Sequence, residues 1–265
     1  METIARNLIL AGEISGFLHD LGKLNPGLAD ENLTGGSGNK SEDSKKHAGI
    51  YAAHGAILEE GRIYPNEQEW NEPSGWLEGL NKLLNHEGWA ESMTLPAEWV
   101  KPNTVQVTGL GAPLRQHHAT DDWPDLEASL LGDVYAMGAD IRDSALDKAS
   151  GGAKNGKQKN NYAHIADSFG QKQLDYSQDI LATQWQQVPK LLQMLWQDGA
   201  WQDVATTRKK LYQNWACVLQ KALGETRRPT HDVTLWHHSY STASHFKAVL
   251  AEGVLRQDFT RWQNQ

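Results

Sequence analysis

The sequence predicts a mainly α-helical protein, and three observations lead to this prediction. Apolar residues recur at three- and four-residue spacing along most of the chain. Strand-like alternation is confined to residues 105–108, which end at Gly109. Hydrophobic residues make up 39% and charged residues 22% of the 265 residues, a composition typical of a folded chain. We therefore expect an all-α fold with little or no β structure, in one domain that spans residues 1–265.

The helices are predicted in chain order from this spacing and from residues that begin or end helices. The first carries one apolar face and ends before Pro26 and Gly27; its face consists of Ile4, Leu8, Ala11, Ile14, Leu18 and Leu21. The clearest later helix begins at Asp122, a candidate N-cap, with Pro124 in its first turn, and runs to Leu146. Other helices are expected at residues 44–60, 74–84, 171–197, 203–223 and 232–251. The last would be capped by Asp232 or Thr234.

Residues 32–44 and 150–161 are rich in Gly, Ser, Asn and Lys, and we expect mobile loops there.

Charge and cysteine content exclude several classes of protein. The chain holds 25 Lys and Arg against 33 Asp and Glu, a net charge of −8, which disfavours a nucleic-acid binder that relies on a basic surface. A single cysteine, Cys217, excludes an intramolecular disulfide framework and a Cys-rich zinc site. Charged residues interrupt the N-terminal segment, so it resembles neither a signal peptide nor a membrane span. We expect a cytoplasmic protein.

Histidine is the abundant metal-binding residue type, with 11 in the chain. His19 and Asp20 lie near the end of the first helix, flanked by Leu18 and Leu21, so at least one of the pair is expected to point inward. Burial of an imidazole beside a carboxylate is costly unless a partner satisfies both, and a metal ion does so. Lys23 completes an H-D-x-G-K pattern with this pair.

Further candidate ligands follow along the chain. His47 and His54 are two helical turns apart, about 10.5 Å, which is too far for both to bind one ion directly. His117 and His118 are adjacent and would point about 100° apart on a helix, toward two ions or toward one ion and a phosphate. Asp140 falls on the apolar side of its predicted helix, where a carboxylate needs a partner.

The last histidine group contains His231 with Asp232, and His237 with His238. So many histidines beside carboxylates, with one cysteine, favour imidazole-plus-carboxylate chemistry suited to Mn, Fe, Ni or Zn.

Three stretches together resemble the HD superfamily of metal-dependent phosphohydrolases: FLHDLGKLNP, the HH pair followed by GADIRDSALDK, and DVTLWHHSYSTASHFKAVL. More narrowly, they resemble the N-terminal HD nuclease domain of the large HD–Palm signature subunit of type III CRISPR effector complexes. In that family the HD domain is circularly permuted, so that the helix with the superfamily's first histidine comes last. The resemblance implies a permuted HD fold, in a domain excised from a longer subunit or in a split subunit.

The resemblance also implies site roles. His19 and Asp20 match the His-Asp pair, with Asp20 bridging two ions, and His238 and Asp140 complete one metal site. His117 and His118 serve the second ion together with His47, chosen over His54, and Lys23 lies near the substrate phosphate. The family usually has Trp-Asp-His where this chain has Trp236-His237-His238. The replacement either alters the orientation of His238 or makes His237 an extra ligand.

The function that follows is cleavage of single-stranded DNA by a metal-bound hydroxide, with one or two divalent ions. Mn or Ni is expected first, and Fe, Co or Zn also suit the ligands. The implied partners are single-stranded DNA, other subunits of a CRISPR ribonucleoprotein effector complex and the rest of the parent subunit. No membrane is expected among the partners. Two alternatives remain: an HD phosphohydrolase that acts on nucleotides or cyclic dinucleotides, and a catalytically inactive HD-fold scaffold. Because of the negative net charge, we expect the isolated chain to bind DNA weakly and with strong salt sensitivity.

Overall fold

The described part of the chain is mainly helical. The computed structural model describes residues 2–20, 24, 94–104, 106, 130–134, 164–166, 173–175, 178–187, 191, 194, 203–221 and 234–263. The α-helices there are α1 (Glu2–Leu18), α2 (Leu130–Val134), α3 (Gln178–Trp185), α4 (Val204–Asn214), α5 (Ala216–Leu219) and α6 (Leu235–Arg256). Two 3₁₀ turns, Ala97–Trp99 and Thr260–Trp262, and two short strands, β1 (His164–Ala166) and β2 (Gln173–Asp175), complete these elements. None of the described helices is long and apolar enough to cross a membrane.

Helix α1 is enclosed by α4 and α6. Its predicted apolar face is confirmed, since Leu8, Ala11 and Ile14 are fully buried. Burial extends around the whole helix in its second half, because every residue from Ala11 to Leu18 is buried. An amphipathic pattern predicts one buried face only; here two helices cover α1 from different sides. The end of α1 therefore lies in the interior, and this is where His19 and Asp20 follow.

Helix α6 brings the C-terminal part of the chain alongside α1. It begins after Thr234, whose side-chain oxygen accepts a hydrogen bond from the backbone N–H of His237. Thr234, one of the two predicted caps, is thus the N-cap residue. The helix extends to Arg256, beyond the predicted end at residue 251, and stops at Gln257 in the left-handed conformation with φ 55°.

The helix predicted at residues 203–223 is present in two pieces. Asp203 caps α4, because its carboxylate oxygen accepts from the backbone N–H of Thr206 at 2.8 Å. Regular helix stops at Trp215, whose side chain is completely buried, and resumes as α5. The turn at Trp215 directs its large ring into the core, and apolar spacing alone does not reveal such a turn.

The prediction of a helix at residues 171–197 is wrong for the first turn. Strand β2 occupies part of this segment and pairs antiparallel with β1, with Ile165 opposite Leu174. Pairing with β1 satisfies backbone groups that a helix would otherwise satisfy internally. Helix α3 begins only at Gln178, after Ser177, a residue type favoured at helix N-caps.

Other predicted elements lie wholly or partly outside the described residues. Helix α2 is the described part of the helix predicted from Asp122, and its Leu130, Leu131 and Val134 are fully buried. Gln106, within the alternating segment 105–108, is not in a strand; its side-chain amide instead donates to the Leu95 carbonyl and accepts from the Leu95 N–H. The predicted helices at 44–60 and 74–84 and the predicted loops at 32–44 and 150–161 lie outside these residues.

Candidate metal centre

The end of α1 fixes the ring of His19. Its Nδ1 lies 2.7 Å from the carbonyl oxygen of Gly16, one of the last carbonyls of α1 that no helical N–H can reach. A carbonyl only accepts hydrogen bonds, so Nδ1 carries the proton and donates it. In the neutral imidazole the other ring nitrogen, Nε2, then keeps its lone pair, which is how histidine is commonly oriented for a metal.

Three side chains converge at this point. The Nε2 atom of His238 lies 2.8 Å from Oδ2 of Asp20 and 3.2 Å from Nε2 of His19. The Nε2 atom of His19 lies 3.0 Å from the same Asp20 oxygen. Their exposed fractions are only 2% for His19, 4% for Asp20 and 7% for His238. Two ring nitrogens and a carboxylate oxygen this close repel one another unless a proton or a cation lies among them.

The spacing of these three atoms allows a single ion to contact all three. Ligand atoms about 2.1 Å from an octahedral ion lie about 3.0 Å from their neighbours, whereas a tetrahedral ion separates them by about 3.4 Å. The three edges here, 2.8, 3.0 and 3.2 Å, are closer to the octahedral value. Two imidazoles and one carboxylate on one face of an ion leave further positions for other ligands. These two imidazoles and one carboxylate form a donor set that a divalent transition-metal ion accepts.

A close contact between helix backbones brings the histidines together. A Cβ atom built on Gly16 would lie 2.9 Å from Cα and 3.2 Å from N of Ala243. Gly16 precedes His19 by less than one turn, and Ala243 follows His238 by little more than one turn. Because no side chain separates the helices at Gly16, the two imidazoles approach within contact distance.

Three of the predicted site residues are thus brought together, and the others lie outside the described residues. The group consists of His19, Asp20 and His238, and within the described chain no other set of His, Cys, Asp and Glu meets the same spacing. The predicted ligands and substrate contacts that lie outside it are Lys23, His47, His117, His118 and Asp140, together with the alternative His54. The prediction that at least one of His19 and Asp20 points inward is confirmed, since both residues are buried.

His237 does not join the group. Its side chain is exposed, and its Nδ1 lies 3.0 Å from the Thr234 hydroxyl at the beginning of α6. His237 therefore takes part in the helix N-terminus, and among the described residues it is not a member of the group formed by His19, Asp20 and His238.

A buried carboxylate in α1 was not predicted to have a role. Glu13 lies opposite the apolar face of α1, where the pattern predicts exposure, yet it is only 3% exposed. Both of its oxygens accept from Arg208 of α4, at 2.7 and 2.8 Å, and Lys247 of α6 lies 3.1 Å away. Burial alone raises the pKa of Glu13, but the hydrogen bonds and positive charges of Arg208 and Lys247 outweigh it and hold the pKa below 4.5.

Glu13 also affects its neighbours. Its carboxylate raises the pKa of the Arg208 guanidinium through their hydrogen bonds. Burial, followed by the Glu13 charge, raises the pKa of Tyr212 far above its ordinary value of 10.0. The sequence signal that would have revealed this role is the pair Gly12 and Gly16 on the same side of α1, since small residues let another helix approach closely.

No protein-family model, curated protein or solved structure matches this chain significantly. The chemistry of the site therefore has to be argued from its own geometry.

Proposed function

We propose that this chain is a metal-dependent phosphodiesterase of the HD type that cleaves single-stranded DNA in the cytoplasm. The observation that carries the proposal is the buried group of His19, Asp20 and His238, whose members come from opposite ends of the chain. A His-Asp pair that meets a histidine from the last long helix is the arrangement that the permuted family resemblance implies.

The chain's own residues have distinct tasks in this proposal. The Nε2 atoms of His19 and His238 and the carboxylate of Asp20 hold the ion, and the Gly16 carbonyl keeps His19 in the required tautomer. When bound, a divalent ion lowers the pKa of a water ligand and polarises the phosphate. Burial of the three ligands limits competition from bulk water. A second ion, bound by His47, His117 and His118, and a phosphate contact from Lys23 remain part of the proposal from the sequence.

Metal loading tests the site directly. Purified protein is stripped with a chelator and titrated with Mn²⁺, Ni²⁺ and Zn²⁺, with the bound metal counted by mass spectrometry. We expect Mn²⁺ or Ni²⁺ to bind and both His19→Ala and His238→Ala to weaken binding at least about tenfold. His237→Ala is the matched control, because this exposed neighbour lies outside the group; it should bind as the native chain does. A native chain that accepts none of the three ions would support the inactive-scaffold alternative and overturn the proposal.

Activity is tested on a substrate panel with the loaded protein. We expect cleavage of single-stranded oligonucleotides that is lost in His19→Ala and Asp20→Ala and kept in His237→Ala, with folding checked by circular dichroism. Undiminished cleavage by the first two variants would contradict the mechanism. Hydrolysis of free nucleotides or cyclic dinucleotides in place of oligonucleotides would assign the site to the other class of HD phosphohydrolase.

A further inference from the structure

Three aromatic side chains form a continuous cluster at the surface where α4 and α6 meet. The ring centroids of Tyr212 and Tyr240 are 5.7 Å apart, and those of Trp236 and Tyr240 are 6.3 Å apart. The buried Phe17 packs against the cluster, and its ring centroid lies 4.7 Å from that of Tyr212 and 5.4 Å from that of Trp236. Tyr240 is 50% exposed, which is unusual for a large side chain with so many ring contacts. We call Trp236, Tyr240 and Tyr212 the aromatic patch.

Cations surround this patch. The guanidinium of Arg208 lies 4.7 Å above the Tyr212 ring, and its side chain remains 33% exposed. The Lys247 side chain is 42% exposed. These two cations share one buried carboxylate, Glu13, so the local charge is positive by one. The exposed Lys209 adds another positive charge on α4, which contains no acidic residue. Among the described residues, the charges beside this patch are therefore positive on balance, whereas the whole chain has a net charge of −8.

The patch lies close to the metal group along the chain. Phe17 precedes His19 by two residues, and Trp236 precedes His238 by two. Two residues on a helix correspond to about 200°, so Trp236 and His238 leave α6 on opposite sides, separated by about one helix diameter of 10–12 Å. This distance corresponds to about three stacked nucleotides at 3.4 Å each.

We propose that the aromatic patch binds the bases of a single-stranded nucleic acid while Arg208, Lys209 and Lys247 attract its phosphates. The half-exposed Tyr240 ring suits a base, and the cations beside the patch suit the backbone, so a single strand satisfies both at once. A duplex hides its base faces, and a small anion leaves the rings unused. The proposal rests on the proposed function for the choice of a nucleic-acid strand. It adds a binding surface that works without metal.

The test measures binding in the presence of a chelator, so that neither metal nor cleavage contributes. Fluorescence anisotropy follows a labelled thymidine oligonucleotide, a uridine oligonucleotide of equal length and an abasic strand with the same number of phosphates. We expect the strands with bases to bind more tightly than the abasic strand and binding to weaken steeply with added salt. The comparison of the thymidine and uridine strands shows whether the surface prefers DNA or RNA.

Exposed positions provide variants that leave the core and the Glu13 ion pairs untouched. Tyr240→Ala should weaken binding about fivefold or more, whereas Leu255→Ala, at an 85% exposed apolar residue on the same helix, should not. Lys209→Gln should weaken the binding of all strands, including the abasic one. Arg256→Gln, at the far end of α6, is its control. Trp236→Phe should reduce the tryptophan quenching that accompanies binding.

The possible results separate this proposal from the proposed hydrolysis. His19→Ala, although inactive, should bind in chelator as the native chain does. Equal affinity for the abasic strand, no effect of Tyr240→Ala, or no binding at all would overturn the patch proposal, whether or not the loaded protein cleaves DNA. Self-association that Tyr240→Ala abolishes, without nucleic-acid binding, would assign the patch to a protein contact and also overturn it.

Discussion

Two buried carboxylates at the end of α1 have different partners, and the partners determine what each can bind. Glu13 faces Arg208 and Lys247, whose positive charges compensate it and repel a metal ion. Asp20 faces the Nε2 atoms of His19 and His238, which offer lone pairs to a cation when they carry no proton. The first carboxylate therefore ties helices together, and the second is placed to bind a cation.

The Glu13 ion pairs should stabilise the fold measurably. Glu13→Gln preserves the shape but removes the charge, and Arg208 and Lys247 are exposed enough to regain water. We expect a loss of about 1–3 kcal/mol in the free energy of unfolding, measured by urea denaturation. Glu252→Gln is the control, because Glu252 pairs with Arg256 and Arg261 on the surface and should change stability little. Equal urea midpoints for the two variants would contradict this role.

At the scale of secondary-structure elements, the contact between α1 and α6 sets the geometry of the site. Gly12 and Gly16 both face α6 but meet different atoms. A Cβ on Gly12 would meet the side-chain end of Leu250, which can rotate, whereas one on Gly16 would meet the backbone of Ala243, which cannot. Only at Gly16 must the helices move apart to make room.

Gly16→Ala should therefore weaken metal binding more than Gly12→Ala. Separation of α1 from α6 lengthens the distance between the Nε2 atoms of His19 and His238, and we expect Mn²⁺ or Ni²⁺ affinity to fall about tenfold or more. Isothermal titration calorimetry measures this, with circular dichroism to establish that both variants are folded. If Gly12→Ala lost as much affinity as Gly16→Ala, backbone separation would not be the cause.

Across the whole molecule, the N-terminal and C-terminal helices meet in the interior, so stability and site assembly depend on the same contacts. Acid is expected to weaken these contacts. The pKa of Glu13 is lower in the folded chain than its ordinary value of 4.5, so the carboxylate binds protons less readily when folded. Its stabilising contribution is fully present above pH 4.5 and is lost as the pH falls through the lower pKa of the folded state.

The acid transition should therefore differ between the native chain and Glu13→Gln. We expect the free energy of unfolding of the native chain to fall more steeply below pH 4.5 than that of the variant, because the variant has no carboxyl group to protonate. Urea denaturation at a series of pH values measures both curves. The pKa values of the facing Arg208 and Tyr212 side chains are raised, so both groups keep their protons over this range. Parallel curves would show that Glu13 does not contribute to acid sensitivity.

Much of the helical framework was predictable, and the exceptions have physical causes. The apolar spacing of α1 and the cap at Thr234 are local properties, and the sequence reveals them. The break at Trp215 and the strand at residues 173–175 depend on where a buried ring and a pairing partner lie, which local patterns do not contain. Glu13 lies opposite the apolar face and is nevertheless buried, because a helical pattern describes one neighbour, whereas α1 has two.

By itself, the sequence determined that the described part of the chain is mainly helical, that His19 and Asp20 lie at the end of a helix, and that His238 lies on another helix. Family resemblance connected these residues, and local spacing did not, because they are separated by 219 and 218 positions. Only the tertiary structure brought the three ligand atoms within 3.2 Å of one another, through the backbone contact of Gly16 with Ala243. The reason is that ligand convergence depends on how closely two distant helices pack, and that distance depends on the missing side chain at Gly16.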